Sequence, residues 1–221
     1  AKERLFNYEE SLRLFEEAYS INPSSKDASD NLHQLYPRME SWPAYAAFLE
    51  REIAHSSSSK TRLDLMYKLG CVQMDHLQDL AAARHQFEAV LAATPSDEAS
   101  MHRLEKVLLD QGDLDALRKL YAARSDLAAF VALLGQRESR ETDKARQVKL
   151  NLAMAWTCDN DLHDLVRSMR HLQKAYDLDH SLVNIGRQLL TAYELQGDDE
   201  HACAMLADLT PTLETAQDRI E

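Results

Sequence analysis

The sequence predicts an all-α chain, a solenoid of antiparallel helix pairs, on three observations: helix-forming composition, one apolar spacing that recurs, and a capping residue at the head of each recurrence. Of 221 residues, only five are Gly and five Pro, and no stretch sustains an alternation of apolar and polar residues. Strands need turn punctuation at short regular intervals, and it is missing here. Leu, Ala, Glu, Gln and Arg dominate, and these are good helix formers.

The apolar spacing is clearest at Leu80, Ala83, Phe87 and Val90, whose steps of three and four put all four side chains on one helix face. The same spacing occurs at Tyr8, Ser11, Phe15, Ala18 and at Trp42, Tyr45, Leu49. It returns at Leu114, Leu117, Tyr121, at Leu165, Ser168, Leu172, Ala175, and more weakly at Ala202, Leu206, Leu209. Tyr8 to Trp42, Leu80 to Leu114 and Leu165 to Asp199 are each 34 residues apart, the length of one helical hairpin with its turns.

The residue before each run is Asn7, Ser41, Asp79, Asp113, Asp164 or Asp198. Each is a preferred N-cap, whose side-chain oxygen accepts from an otherwise orphaned helix N–H. Upstream of the caps lies a partner helix, marked by Leu32 and Tyr36, Leu104 and Leu108, and Leu189 and Tyr193. Leu69 and Met154 stand one residue further from their caps, so those two repeats hold one extra residue. Gly112 before Asp113 and Gly197 before Asp198 suit a left-handed helix end followed at once by a new start.

These residues resemble the tetratricopeptide repeat. Asn7-Tyr8-Glu9-Glu10-Ser11 through Phe15, Ala18 and Asn22-Pro23, and Asp79-Leu80 through Phe87 and Thr94-Pro95, are similar to the family's second helix. Leu69-Gly70 resembles the large-then-small pair of its first helix. The resemblance covers essentially the whole chain and implies a right-handed solenoid of about six repeats. The chain departs from the pattern at His180, where the closing Pro is absent, and keeps the small first-helix residue only as Gly70 and Ala155.

The run from Leu114 to Leu165 is too long for one repeat, and the apolar stretch Asp126 to Leu134 reads as an extra helix over 126–138. Such a helix either bends the stack or divides it into sub-arrays 1–124 and 141–221, with Ser56-Ser57-Ser58-Ser59 and Glu138-Ser139-Arg140-Glu141 as connectors. Lys2 to Phe6 reads as the tail of a first helix, and Thr212 to Glu221 as the opening of a further one. On that reading the chain is a piece of a longer array, because solenoids need polar caps over their terminal apolar faces.

Chemistry is sparse. There is no His-Glu-x-x-His pattern and no Cys-x-x-Cys pair among nine His and three Cys, and the spacings His163/His171 and His76/His85 make no metal site. Five dispersed Gly build neither a phosphate loop nor a nucleophile elbow. No cofactor, metal or catalytic residue is expected, and the chain reads as a non-enzyme. Cys71 and Cys158 read as buried small hydrophobes, and three scattered cysteines fit a reducing, cytoplasmic setting. A formal net charge of −12 disfavours nucleic acid and anionic membrane as partners. No run of 18 apolar residues is present to span a bilayer.

What the resemblance implies is binding of a protein or peptide in a concave groove lined by first helices. The groove positions lie two residues either side of the first-helix Leu or its counterpart. They are Asp30 and Gln34, Tyr67 and Cys71, His102 and Lys106, Leu152 and Trp156, and Arg187 and Thr191. Trp42 lies in the packing register and Trp156 projects toward the groove. Only Lys106 and Arg187 resemble the family's carboxylate-holding cluster, two repeats apart. Two rival expectations stand beside the scaffold: head-to-tail self-association through the end repeats, and an accessory array on a larger enzyme or regulator.

Overall fold

The computed structural model describes residues 2–217, and the side chains of residues 7–210. Twelve helices and no strand lie among the described residues. The chain divides into two compact units, Ala1–Asp113 and Leu114–Glu221.

The first unit holds α1 (Lys2–Ile21), α2 (Lys26–Arg38), α3 (Trp42–His55), α4 (Ser59–Asp75), α5 (Leu80–Ala93) and α6 (Glu98–Gln111). Each helix packs on its neighbour in the chain, and α4 also touches α6. That order is the signature of stacked hairpins, in which a helix leans on the units beside it rather than on a shared centre. Tyr19, Leu32, Tyr36, Phe48, Leu49 and Leu69 form a buried seam through α1 to α4. Ring contacts knit it, with Tyr19 edge-on to Phe48 at 5.1 Å and Tyr36 on Tyr45 at 5.7 Å. Phe87, Val90, Leu104 and Leu108 carry burial onward into α5 and α6.

A polar knot crosses this seam. His33 Nε2 lies 2.8 Å from Glu52, and His33 Nδ1 lies 2.9 Å from the Tyr45 hydroxyl. Ser29 donates to Glu52 and Tyr36 donates to Glu16. Burial alone raises the Glu52 carboxyl, but the bonds from His33 and Ser29 outweigh it and hold the group below its ordinary value.

The second unit holds α7 (Leu114–Ala123), α8 (Leu127–Glu138), α9 (Lys144–Asn160), α10 (Leu165–Leu178), α11 (Val183–Gln196) and α12 (Asp199–Gln217). Again each helix packs on the next. Met169, Tyr176, Leu189, Met205 and Leu209 are buried together. The extra helix is present as α8, capped by Asp126, which accepts from the Ala129 N–H at 3.2 Å. It lies inside the second unit, between α7 and α9.

The caps largely stand where the sequence places them. Asp79 accepts from Ala82 N at 2.9 Å, Asp164 from Arg167 N at 3.0 Å, and Asp198 from His201 N at 3.2 Å. Ser41 precedes α3 without a side-chain bond, because Pro43 occupies the first turn and shapes the entry instead. Asp113 precedes α7 and is engaged by Arg84 at 2.7 Å.

Asn7 is a correction. It lies inside α1, which runs unbroken from Lys2, so it caps nothing, and Lys2 to Phe6 is the head of this helix rather than the tail of another. Nothing in that stretch stops a helix, so a capping residue alone does not start one. Likewise α12 continues past Thr212 to Gln217 with no fresh start, and residues 218–221 of that expectation lie outside the described residues.

Six of the turns between helices share one backbone device. The residue preceding the cap is left-handed at Glu40, Gln78, Gly112, Ser125, His163 and Gly197, with φ from 52° to 70°. The cap's N–H then reaches back to the previous helix, as in Ser41 N to Tyr36 O and Asp113 N to Leu108 O. In the two repeats with an extra residue the reach is one longer, Asp79 N to Gln73 O and Asp164 N to Cys158 O. Leu77 and Leu162 are the inserted residues, and their own N–H groups bond Val72 O and Thr157 O.

Face assignments shift in places. Ala18 is exposed and Tyr19 takes the core, while Leu206 is 51% exposed and Met205 is buried in its stead. Leu165 is also exposed. Steps of three and four differ by one residue of register, and a lone spacing pattern does not choose between adjacent residues that both lie near the seam. Gly70 is required by packing, since a Cβ there would meet the Phe87 ring at 2.8 Å. Gly186 is a second such place, with Leu209 and Tyr176 each 2.8 Å from the added carbon.

Candidate partner-binding surface

In the first unit the outward positions belong to α2, α4 and α6. Asp30 and Gln34 flank the buried Leu32 and are exposed. His102 and Lys106 flank Leu104 and are exposed, and His102 stands 3.4 Å from Glu105. Tyr67 is half-buried, with its ring 5.9 Å from that of Phe87. It lines a hollow of about 720 Å³ with Lys60, Asp64 and Lys68 of α4 and Thr94 and Asp97 beyond. Lys60, Asp64 and Lys68 recur every four residues, so they share one stripe of the helix.

Two features of this face escaped the sequence reading. Arg103 grips both oxygens of Asp75 at 2.7 and 2.8 Å and so ties α6 to α4. Arg84 joins Glu88 and Asp113, each at 2.7 Å, and pins the turn after α6 to α5. Arg84–Glu88 is an ordinary i,i+4 pair, but Arg103–Asp75 and Arg84–Asp113 join residues 28 and 29 apart and so were not visible as local motifs. Cys71 lies half-buried near Tyr67 and Arg103, and burial pushes its thiol up, away from the reactive thiolate.

In the second unit Trp156 is 48% exposed, as its position after the buried Ala155 implies. The Arg118 guanidinium stands 4.3 Å over its ring and also lies 2.9 Å from Asp161. The indole is therefore fixed in orientation while keeping an open edge. Leu152 is half-buried.

Arg187 and Thr191 are one turn apart on α11, and the Thr191 hydroxyl donates to the Arg187 carbonyl at 3.0 Å. Both line a hollow of about 460 Å³ with Leu165, Ala192 and Leu195. Leu165 is 53% exposed and Leu195 83%. Leu165 was expected in the core; it sits instead on the rim of this hollow, with Val166 exposed beside it. Trp42 is half-buried, packed against the first unit's core with its ring 3.4 Å from that of His76.

Cys71, Cys158 and Cys203 are all free. No group of three or more His, Cys, Asp or Glu able to hold a metal occurs among the described residues. No helix among them is long and apolar enough to cross a membrane.

No protein-family model matches the chain, and no curated protein matches it. Paired helices, each packed on its chain neighbour and joined by left-handed turns, decide the class. The fold is a tetratricopeptide-like helical repeat. Solved structures similar to this array include a MamA RS-1 double mutant, 21% identical over 94% of this chain and 97% of that chain, with a TM-score of 0.39. MamA from residue 41 to its end, from Desulfovibrio magneticus RS-1, is 20% identical over 94% and 97%, with a TM-score of 0.38. The C-terminal part of a TPR repeat-containing protein from Cytophaga hutchinsonii is 12% identical over 97% and 95%, with a TM-score of 0.39. TM-scores this low leave the class of fold to rest on the array's own hairpins.

Proposed function

We propose that this repeat array is a non-catalytic scaffold that binds a protein or peptide partner on the outward faces of its first helices. The observation that carries the reading is the apolar rim around Arg187 and Thr191. Leu195 of α11, with Leu165 and Val166 at the start of the neighbouring α10, stands in solvent, where a chain with no partner gains nothing from such large apolar side chains. Trp156, held by Arg118, is a second anchor of the kind that dominates interfaces. Asp30, Gln34, Tyr67, His102, Lys106, Trp156, Arg187 and Thr191 are the proposed contact residues. Three free cysteines accord with a reducing, cytoplasmic setting.

The test is affinity capture with the whole chain as bait, followed by mass spectrometry, run in parallel with Trp156→Ala, Leu195→Asp and Arg187→Glu. A partner held by the groove is lost with at least one of these variants while their melting temperatures stay unchanged. A partner retained by all three sits elsewhere. Light scattering against concentration separates the rival: mass that rises with concentration, and falls in Leu195→Asp, marks self-association instead.

A further inference from the structure

A second hollow lies on a different part of the second unit. It has a volume of about 220 Å³ and opens among the C-terminal half of α10, Tyr193 of α11 and the middle of α12. Tyr193 follows Thr191 by two residues, which puts it on roughly the opposite side of α11 from the groove positions.

The walls are aromatic. Tyr176 meets the His180 ring edge-on at 5.0 Å, and Tyr193 stacks on His201 at 5.2 Å. The floor and rim are anionic. Asp177 accepts from Gln173 at 2.7 Å, and Asp208 faces His180 Nδ1 at 2.9 Å. Tyr176 is almost wholly buried at the base of this hollow, and its hydroxyl faces the Asp208 carboxylate. Burial and the neighbouring Asp208 carboxylate push that hydroxyl up to about 12, so it remains a neutral donor and acceptor. The C-terminal surroundings are acidic, since residues 177–210 hold seven carboxylates and a single Arg, while Arg170 and Lys174 lie further up α10.

From this arrangement we infer that the hollow receives an arginine side chain from a basic segment of a partner protein, its guanidinium against the half-buried Tyr193 ring and paired with Asp208 and Asp177. The chemistry is complementary on each count. A guanidinium is planar and weakly hydrated, stacks on aromatic faces, and forks onto carboxylates. A volume of about 220 Å³ admits one such head with its methylenes. A chain of net charge −12 draws basic segments toward it, and the hollow supplies the place where one residue is held. Tyr176 and His180 both engage Asp208, and the exposed His180 is the donor that an arriving arginine displaces.

The experiment uses the full chain and a labelled short peptide of alternating Arg and Gly, with fluorescence anisotropy as the readout. The same peptide with citrulline in place of Arg should not bind. Asp208→Asn and Asp177→Asn should each weaken binding about tenfold. Asp159→Asn, an equal charge change on the exposed face of α9, should leave it unchanged. His180→Phe keeps a flat ring but removes the rival donor, and should tighten binding even if an Asp208 variant folds poorly. Equal binding of the citrulline peptide overturns the inference. So does an Asp159→Asn effect as large as that of Asp208→Asn, which would reduce the attraction to net charge alone. Weaker binding by His180→Phe would also count against it.

Discussion

At the scale of single residues, the left-handed positions are where sequence and structure part most instructively. Gly112 and Gly197 announce their turns, because glycine adopts positive φ without penalty. Glu40, Gln78, Ser125 and His163 adopt the same backbone and give no such signal. The turn is imposed there by the two helices it joins, and the side chain tolerates it. Gln78→Gly should therefore stabilise the chain by about 1 kcal/mol, and Gln78→Val should destabilise it by a similar amount, both read from chemical denaturation. Titration supplies a second residue-scale expectation. His171 lies half-buried with its Nδ1 3.2 Å from the wholly buried Asn151, and burial, then Lys174, holds it below its ordinary value of 6.5. A histidine depressed in the folded state resists the proton that the unfolded chain accepts, so stability falls as pH drops below 6.5. His171→Gln should flatten the loss of stability between neutral and mildly acidic pH, and an unchanged slope would show that His171 contributes nothing to it.

At the scale of elements, the second helices were legible because capping and spacing agree, and misread only where one signal stood alone. Asn7 has the right chemistry but no break before it, and α1 ignores it. Asp126 has both a cap and a loop before it, and α8 begins there. Asp126→Ala should cost about 1 kcal/mol in thermal or urea denaturation, and Asn7→Ala close to nothing. The first helices were harder to place, because the residues that tie them together are distant in the chain. Arg103 with Asp75 and Arg84 with Asp113 are contacts of the folded hairpins. The same holds for Gly186, whose need for smallness comes from Tyr176 and Leu209 on other helices. By contrast Gly70 was readable from its place after Leu69. Gly70→Val should destabilise strongly by driving into Phe87, and a neutral result would mean α4 and α5 can separate without penalty.

At the scale of the molecule, each unit is a series of local contacts, and the candidate binding positions follow from that. Asp30, Gln34, His102, Lys106, Trp156, Arg187 and Thr191 are exposed because the seam uses the alternate faces of their helices. Their exposure was legible from their spacing around each buried Leu, or Met154 in the case of Trp156. The hollows at Tyr67 and Arg187 were not, since their walls come from two or three helices at once. Each helix draws its stability from its nearest neighbours, and Phe87→Ala followed by hydrogen exchange read by mass spectrometry tests this most directly. Phe87 is fully buried in α5, and its loss should cost about 3–5 kcal/mol. Faster exchange concentrated in α4, α5 and α6, with α10 to α12 little changed, is the predicted result. A uniform rise across all twelve helices, or a loss of stability under about 1 kcal/mol, would contradict it.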